Sequence, residues 1–155
     1  ICISVPSFMC CCSTGELEGH IWLECDHFSI ADVRRNQALR SNLKMQLKNS
    51  SKKEIQSARY EVRESASFGS HCLNDRIVSG GYFAQTKLTP EMTNFENFNF
   101  QVSLNEHGLG LATQATSPHT NYGRLEWKLV IIFKVSYAAD PKIVFPITLC
   151  PRFIA

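Results

Sequence analysis

No stretch of this chain approaches the roughly 18 consecutive apolar residues that a membrane-spanning helix needs, so no transmembrane helix is expected. Helical periodicity is almost as scarce; apolar side chains rarely recur at three- and four-residue spacing, which excludes a helix bundle. Charge of one sign is lacking too. The 16 basic and 14 acidic residues leave a formal net charge of +2, so bulk charge selects neither nucleic acid nor any other partner. There is no Cys-x-x-Cys pair, no glycine-rich phosphate cradle, no strained nucleophile turn, no internal repeat and no low-complexity tract. "SGG" at 79–81 and "HGLG" at 107–110 read as ordinary turns.

What is present is period two. In "SNLKMQLKNSS" (41–51), Leu43, Met45 and Leu47 share one face while Asn42, Lys44, Gln46 and Lys48 share the other. "NSSKKE" supplies a turn, and "EIQSARYEVRESASF" (54–68) returns with Ala58, Tyr60, Val62, Ala66 and Phe68 inward, opposite Arg59, Glu61 and Arg63. Ile55 is out of phase, which predicts a bulge beside the turn. "GELEGHIWLEC" (15–25) alternates Leu17, Gly19, Ile21 and Leu23 with His20, Trp22 and Glu24. "FENFNFQVSL" (95–104) groups Phe98, Phe100, Val102 and Leu104. "GRLEWKLVIIFKVSY" (123–137) alternates Leu125, Trp127, Leu129, Ile131, Phe133 and Val135 with Glu126, Lys128, Val130, Ile132 and Lys134. "KIVFPITLC" (142–150) aligns Ile143, Phe145, Ile147 and Leu149, and its Pro146 predicts an edge position or a bulge.

Weaker strands are expected at 3–12 and 77–87, and "DVRRNQALR" (32–40) is the one helix candidate, read here as a loop. Eight or nine short strands with turn formers between them predict an all-β, immunoglobulin-like antiparallel β-sandwich, with residues 1–155 as a single domain. The chain begins at Ile1 and closes on "CPRFIA" after a strand-like run, which reads as a segment of a longer protein. The apolar opening lacks a basic flank and a cleavage site, so it does not read as a signal peptide.

Seven cysteines include the triplet Cys10, Cys11 and Cys12. Adjacent strand residues point to opposite faces, so neighbours in such a run are poorly placed to bridge, and buried free thiols are expected. A zinc site drawing Cys10 and Cys12 together with Cys25, His20 or His27, and a redox-sensing thiol, are the competing readings. The histidines His20, His27, His71, His107 and His119 are scattered, and surface or loop positions account for them without catalysis.

Two features suggest binding. Arg34, Arg35, Arg40, Lys44, Lys48, Lys52 and Lys53 crowd one stretch, and the return strand is expected to bring Arg59 and Arg63 beside Lys44 and Lys48. Arg40, Lys44, Lys48, Arg59 and Arg63 would then form an anionic-surface site for acidic lipid headgroups, inositol phosphates or phosphorylated tails. Glu54, Glu61 and Glu64 interleave with them, and a solvated face whose lysines guard against edge aggregation is the alternative. Val130 and Ile132 make their strand apolar on both faces, which fits either an interdomain or partner contact or central burial within the sandwich.

The order of "CCCSTGELEGHIWLE", "LKMQLKNSSKKEIQSARYEVRE", "FNFQVSL" and "GRLEWKLVIIFKVSYAADPKIVFPITLC" resembles the C-terminal domain of the arrestin family, particularly the α-arrestins or arrestin domain-containing proteins. The last segment closes on Pro146–Ile147 as in that family; "FNFQVSL" lacks the family's proline, and "FSIADVRRNQAL" (28–39) lacks the glycine and glutamate of its turn. The resemblance implies a second sandwich in the whole protein and a non-catalytic adaptor role in membrane-protein trafficking, endocytosis or signalling. It implies a cytoplasmic location, peripheral at the plasma membrane or endosomes, with no cofactor and no nucleic acid. Protein cargo would be the partner, and a ubiquitin ligase would be recruited through Pro-Pro-x-Tyr motifs outside these residues. It also places the cysteine triplet on or at the end of the first strand, as structural residues. A coat or assembly subunit built on the same fold, as in retromer, and a thiol- or metal-dependent regulator are the alternatives.

Overall fold

A computed structural model describes residues 2–6, 13–36, 38–68, 70–83, 87–103, 124–135 and 139–150. Nine strands and one helix occupy them: β1 (Cys2–Pro6), β2 (Ser13–Leu23), β3 (His27–Ser29), α1 (Ile30–Asn36), β4 (Ala38–Asn49), β5 (Ile55–Phe68), β6 (His71–Tyr82), β7 (Thr93–Ser103), β8 (Arg124–Val135) and β9 (Lys142–Cys150). They form a four-stranded sheet, β1-β2-β4-β7, and a five-stranded sheet, β3-β9-β8-β5-β6. Every pairing is antiparallel except β3 with β9, where His27–Ser29 run parallel to Thr148–Cys150.

Alternation decides which side chains fill the space between the sheets. From β2 and β4 come Leu17, Ile21, Leu43, Met45 and Leu47; from β5 and β8 come Ala58, Val62, Trp127, Leu129, Ile131, Phe133 and Val135, all in one buried cluster. Each large aliphatic or aromatic side chain so buried contributes about 1.5–3 kcal/mol. The antiparallel sandwich expected from period two is the observed fold. Leu104 and Cys10–Cys12 lie outside the described residues; along β7 the backbone pairs Phe98 with Leu43 and Phe100 with Ser41.

Four local expectations need comment. The bulge expected at Ile55 is present as a register shift between Ile55 and Ser57 against β8, and Ile55 itself is fully buried. Pro146 sits where β9 has a partner on one side only, because β3 reaches no further than Thr148. Two expectations are corrected. Phe68 is not buried but 54% exposed; it is the last residue of β5 and lies one position past the final β5–β8 pair, Ser67 with Arg124. The stretch read as a loop is helical over 32–36, the greater part of α1, and enters β4 at Ala38; the first-turn Asp32 accepts a 2.6 Å bond from the Arg35 guanidinium three residues on.

The turn between β4 and β5 is a corner from one sheet to the other. Asn49 is fully buried there. Its Nδ2 donates to the carbonyls of Lys53 (2.7 Å) and Leu88 (2.9 Å), and its Oδ1 accepts from the Ser51 amide (3.1 Å) and hydroxyl (2.6 Å). All four hydrogen-bonding positions of the amide are filled, which is what makes its burial tolerable. Gly19 fixes the approach of β2 to β4. Its φ of +149° suits a residue without a side chain, and a Cβ there would collide with the carbonyl of Gln46.

Candidate functional site

The corner at Asn49 redistributes the charged residues. Arg40, Lys44 and Lys48 project from β4 on the outer face of the four-stranded sheet, whereas Arg59 and Arg63 lie on β5 in the five-stranded sheet. The expectation that the return strand sets Arg59 and Arg63 beside Lys44 and Lys48 is therefore corrected. In a sandwich, two outward faces of opposite sheets look away from each other, so the five residues form no single surface.

Arg59 and Arg63 are also committed locally. Glu61 lies between them, 3.6 Å from Arg59 Nε and 2.9 Å from Arg63 Nε, and Arg63 reaches Asp75 at 3.4 Å. The bond to Glu61, outweighing burial, holds the Arg63 guanidinium above its ordinary range. The ladder sets Val130 beside Glu61 and Val144, and Ile132 beside Arg59 and Lys142. Val130 and Ile132 are 5% and 2% exposed, so both are buried within this chain and present almost no surface to a partner. Long arginine and lysine stems are well suited to cover such neighbours.

The outer face of the four-stranded sheet differs. Cross-strand pairing sets Glu18 against Lys48, His20 against Gln46 and Trp22 against Lys44. Trp22 is 48% exposed, and its ring stacks on His20 with centroids 5.6 Å apart and planes 20° apart. Lys48 lies 3.4 Å from Glu91, and Arg40 Nε donates to Gln101 Oε1 at 3.1 Å. Trp22, Glu24, Asn42 and Lys44 wall a hollow of about 430 Å³. Glu24 and Asn42 are shared with a second hollow of about 380 Å³, which adds Arg40, Asn99 and Gln101. Arg40 in turn borders a third, of about 290 Å³, beside Cys25, His27, Ser29 and Asp32. The first two form a trough on this face, whereas the third, lined also by Phe28, Val33, Ala38 and Leu39, opens beside α1 and β3 of the other sheet.

Two side-chain atoms buried beneath the surface have no hydrogen-bond partner, Asn42 Oδ1 beside the trough and Ser29 Oγ beside the third hollow. Unpartnered buried polar atoms are uncommon in folded proteins. Nearby, Ser41 Oγ donates to the Cys25 carbonyl at 2.9 Å and accepts from the Cys25 amide at 3.1 Å, which ties the β2–β3 connection to β4.

The groups considered for a metal site are dispersed into other contacts. His20 stacks on Trp22, His27 Nδ1 lies 2.6 Å from Asp26, and the exposed Cys25 thiol donates to the His27 carbonyl at 3.0 Å. Among the described residues no three His, Cys, Asp or Glu side chains converge on a metal position. No helix among the described residues is long and apolar enough to cross a membrane.

One residue with a defined role escaped the sequence reading. Glu64 is fully buried between the sheets. Its Oε1 accepts from Arg76 Nε and a terminal guanidinium nitrogen, each at 3.0 Å, and its Oε2 accepts the Trp127 indole N–H at 2.9 Å. The signal was available, since period two puts Glu64 in phase with Val62 and Ala66.

No family model and no curated protein matches the chain. Among solved structures, its fold is similar to that of Spo0M, a sporulation control protein from Bacillus subtilis, with a TM-score of 0.59 at 11% sequence identity. The similarity covers 87% of this chain and 49% of Spo0M, so the chain spans about half the length of that protein. At that identity the likeness establishes the fold alone, an arrestin-like β-sandwich.

Proposed function

We propose that this chain is a non-catalytic binding domain of an arrestin-like adaptor, of the α-arrestin C-terminal type, which engages protein cargo in membrane-protein trafficking or signalling. The observation that carries the reading is the contrast between the two outward faces. On the five-stranded sheet, Arg59, Glu61, Arg63 and Asp75 satisfy one another. On the four-stranded sheet, a trough with an exposed aromatic ring and mixed polar walls is open to a ligand. Binding modules of this kind work by surface complementarity and need no reactive constellation.

The test is affinity capture with the full-length parent protein, with this domain run in parallel and partners identified by mass spectrometry. Membrane receptors or transporters recovered together with ubiquitin ligases support the adaptor reading. A fixed stoichiometric set of coat subunits overturns it in favour of an assembly role. That second reading draws on Phe68, Ile77 and Tyr82, which are 54%, 52% and 69% exposed and space apolar side chains along the length of the β5–β6 edge.

A further inference from the structure

We infer that the open edge of β9 along Lys142–Pro146 binds an extended segment of a protein partner, a short apolar run ending in an acidic residue, as an added strand of the five-stranded sheet. The site lies apart from the trough, and the inference does not depend on the adaptor reading. β9 pairs with β8 along Lys142–Ile147, but β3 meets it only at Thr148–Cys150, so no described strand lies on the other side of Lys142–Pro146. Residues of an antiparallel strand alternate between exchanging both bonds with the residue opposite and turning both groups away. Two bonds fix the phase along β9. The Phe133 amide donates to the Pro141 carbonyl at 3.0 Å, which turns Pro141, Ile143 and Phe145 towards β8. The Thr148 amide donates to the Asp26 carbonyl at 2.8 Å, which turns Thr148, Pro146, Val144 and Lys142 the other way. The N–H and C=O of Lys142 and Val144, with the C=O of Pro146, thus stand in a row on the open edge.

Main chain selects main chain. Donors and acceptors that recur at every second residue, ~7 Å apart, match the backbone of another β-strand and neither a lipid headgroup nor a nucleic-acid backbone. Side chains then define the sequence. On the inner side Ile143 and Phe145 pack against the core but are only partly buried, and apolar residues of an added strand directly opposite them would complete that burial. On the outer side Val144 is 54% exposed, which places a third apolar residue between those two. Lys142 is exposed at the end of the row, and Lys128 lies opposite Pro146 on the same face. Neither makes an ion pair among the described residues, so an acidic side chain fits opposite Lys142. A second copy of this chain fits less well. Antiparallel pairing of two such edges about Val144 sets Lys142 of one copy against Pro146 of the other, where the Lys142 carbonyl meets no N–H and the ammonium meets no acid. Lysine and proline keep edge strands from pairing indiscriminately; here they disfavour the chain's own copy and admit a partner with an acid at that position.

The probes are two capped peptides, with the cores Ile-Val-Ile-Glu and Glu-Ile-Val-Ile flanked by glycine and serine, because an added strand can run in either direction. They are titrated against the isotope-labelled 155-residue chain by NMR. At least one is expected to bind saturably with a dissociation constant at or below about 1 mM, and to shift the Lys142 and Val144 amides most. Those two amides should exchange with solvent faster than Ile143 and Phe145 in the free chain, and slow about tenfold or more when the peptide is bound. Val144→Pro removes an N–H that β8 does not use, and should abolish binding while melting stays close to that of the parent chain. Lys142→Glu should weaken binding several-fold and transfer the preference to a peptide with lysine in place of glutamate. This charge swap tests the same edge without altering the backbone. Absence of saturable binding by both peptides overturns the proposal. So does binding that survives Val144→Pro, or a charge swap that leaves the preference unchanged. Dimerisation of the chain alone that Val144→Pro abolishes overturns it too, and gives the edge to a second copy.

Discussion

Trp127 donates its indole N–H to Glu64, its directly opposite cross-strand neighbour in the β5–β8 ladder, 2.9 Å from nitrogen to oxygen, with both residues essentially inaccessible to water. A carboxylate in that position is tolerable only because three N–H groups, one from Trp127 and two from Arg76, converge on its two oxygens. Removing any one of them strands charge in a low-dielectric interior.

Trp127→Phe keeps most of the apolar volume but leaves Glu64 Oε2 without a donor, and should lower stability by about 1–3 kcal/mol. Arg76→Ala uncovers the charge itself and should cost about 3 kcal/mol, while the joint replacement Glu64→Leu with Arg76→Met should cost less than Arg76→Ala alone. Urea denaturation of the three variants checks this order; an Arg76→Ala protein as stable as the parent would remove the ion pair from the account.

At Gly19 the backbone, not a side chain, sets the demand. Gly19→Ala places a methyl group against the Gln46 carbonyl in a conformation that L residues avoid, and about 2–4 kcal/mol of destabilisation is expected. Gly80→Ala, on edge strand β6 with ordinary φ and a closest approach of 3.1 Å, should cost less. The two thermal midpoints, compared in the same buffer, test the difference.

Alkaline stability should carry the mark of Tyr60. Burial raises its hydroxyl above the ordinary 10.0, partly offset by the bond to Ser79. The folded state then holds the proton to higher pH than the unfolded state does. This contribution is complete below pH 10.0 and is lost as pH rises through the raised value. Tyr60→Phe should therefore flatten the fall in stability above pH 10.0 relative to the parent chain, measured by denaturant titration at several alkaline pH values.

The splitting of the basic residues between two faces bears on membranes. Lys44→Glu with Lys48→Glu should leave binding to phosphatidylserine- or phosphoinositide-containing vesicles unchanged within twofold, because Glu16, Glu18, Glu24 and Glu91 already accompany the cations of that sheet or lie at its end. A large loss in vesicle co-sedimentation would restore an anionic-surface role for Lys44 and Lys48.

The fold was legible because alternation is a local signal. The rows through Leu43, Met45 and Leu47 and through Trp127 to Val135 needed no knowledge of partners to be assigned an inner face. What alternation cannot supply is which strand lies beside which. Consecutive β4 and β5 invited pairing, yet a buried Asn49 turns the chain across to the other sheet, and Lys44 parts company with Arg59. Phe68 was misplaced because alternation does not show where a strand outruns its neighbour, and Phe68 lies one residue past the last β5–β8 pair. Trp22 and His20 were correctly turned outward, but the trough beside Trp22 joins Arg40 and Asn42 of β4 to Glu24 after β2 and to Asn99 and Gln101 of β7. Proximity between such residues is created by the sheet order.

The Asn49 corner also has a kinetic meaning. The hairpins β1–β2, β5–β6 and β8–β9 join neighbours in sequence and can form early, whereas β2–β4, β4–β7 and β5–β8 close long loops. Asn49 bonds to Leu88, far along the chain, as well as to its own turn, so its network is complete only once the two halves have met. Interactions that mature after the rate-limiting step leave refolding speed almost untouched and act as a brake on unfolding. The corner would thus serve as a latch, setting how long the assembled sandwich persists more than how quickly it forms.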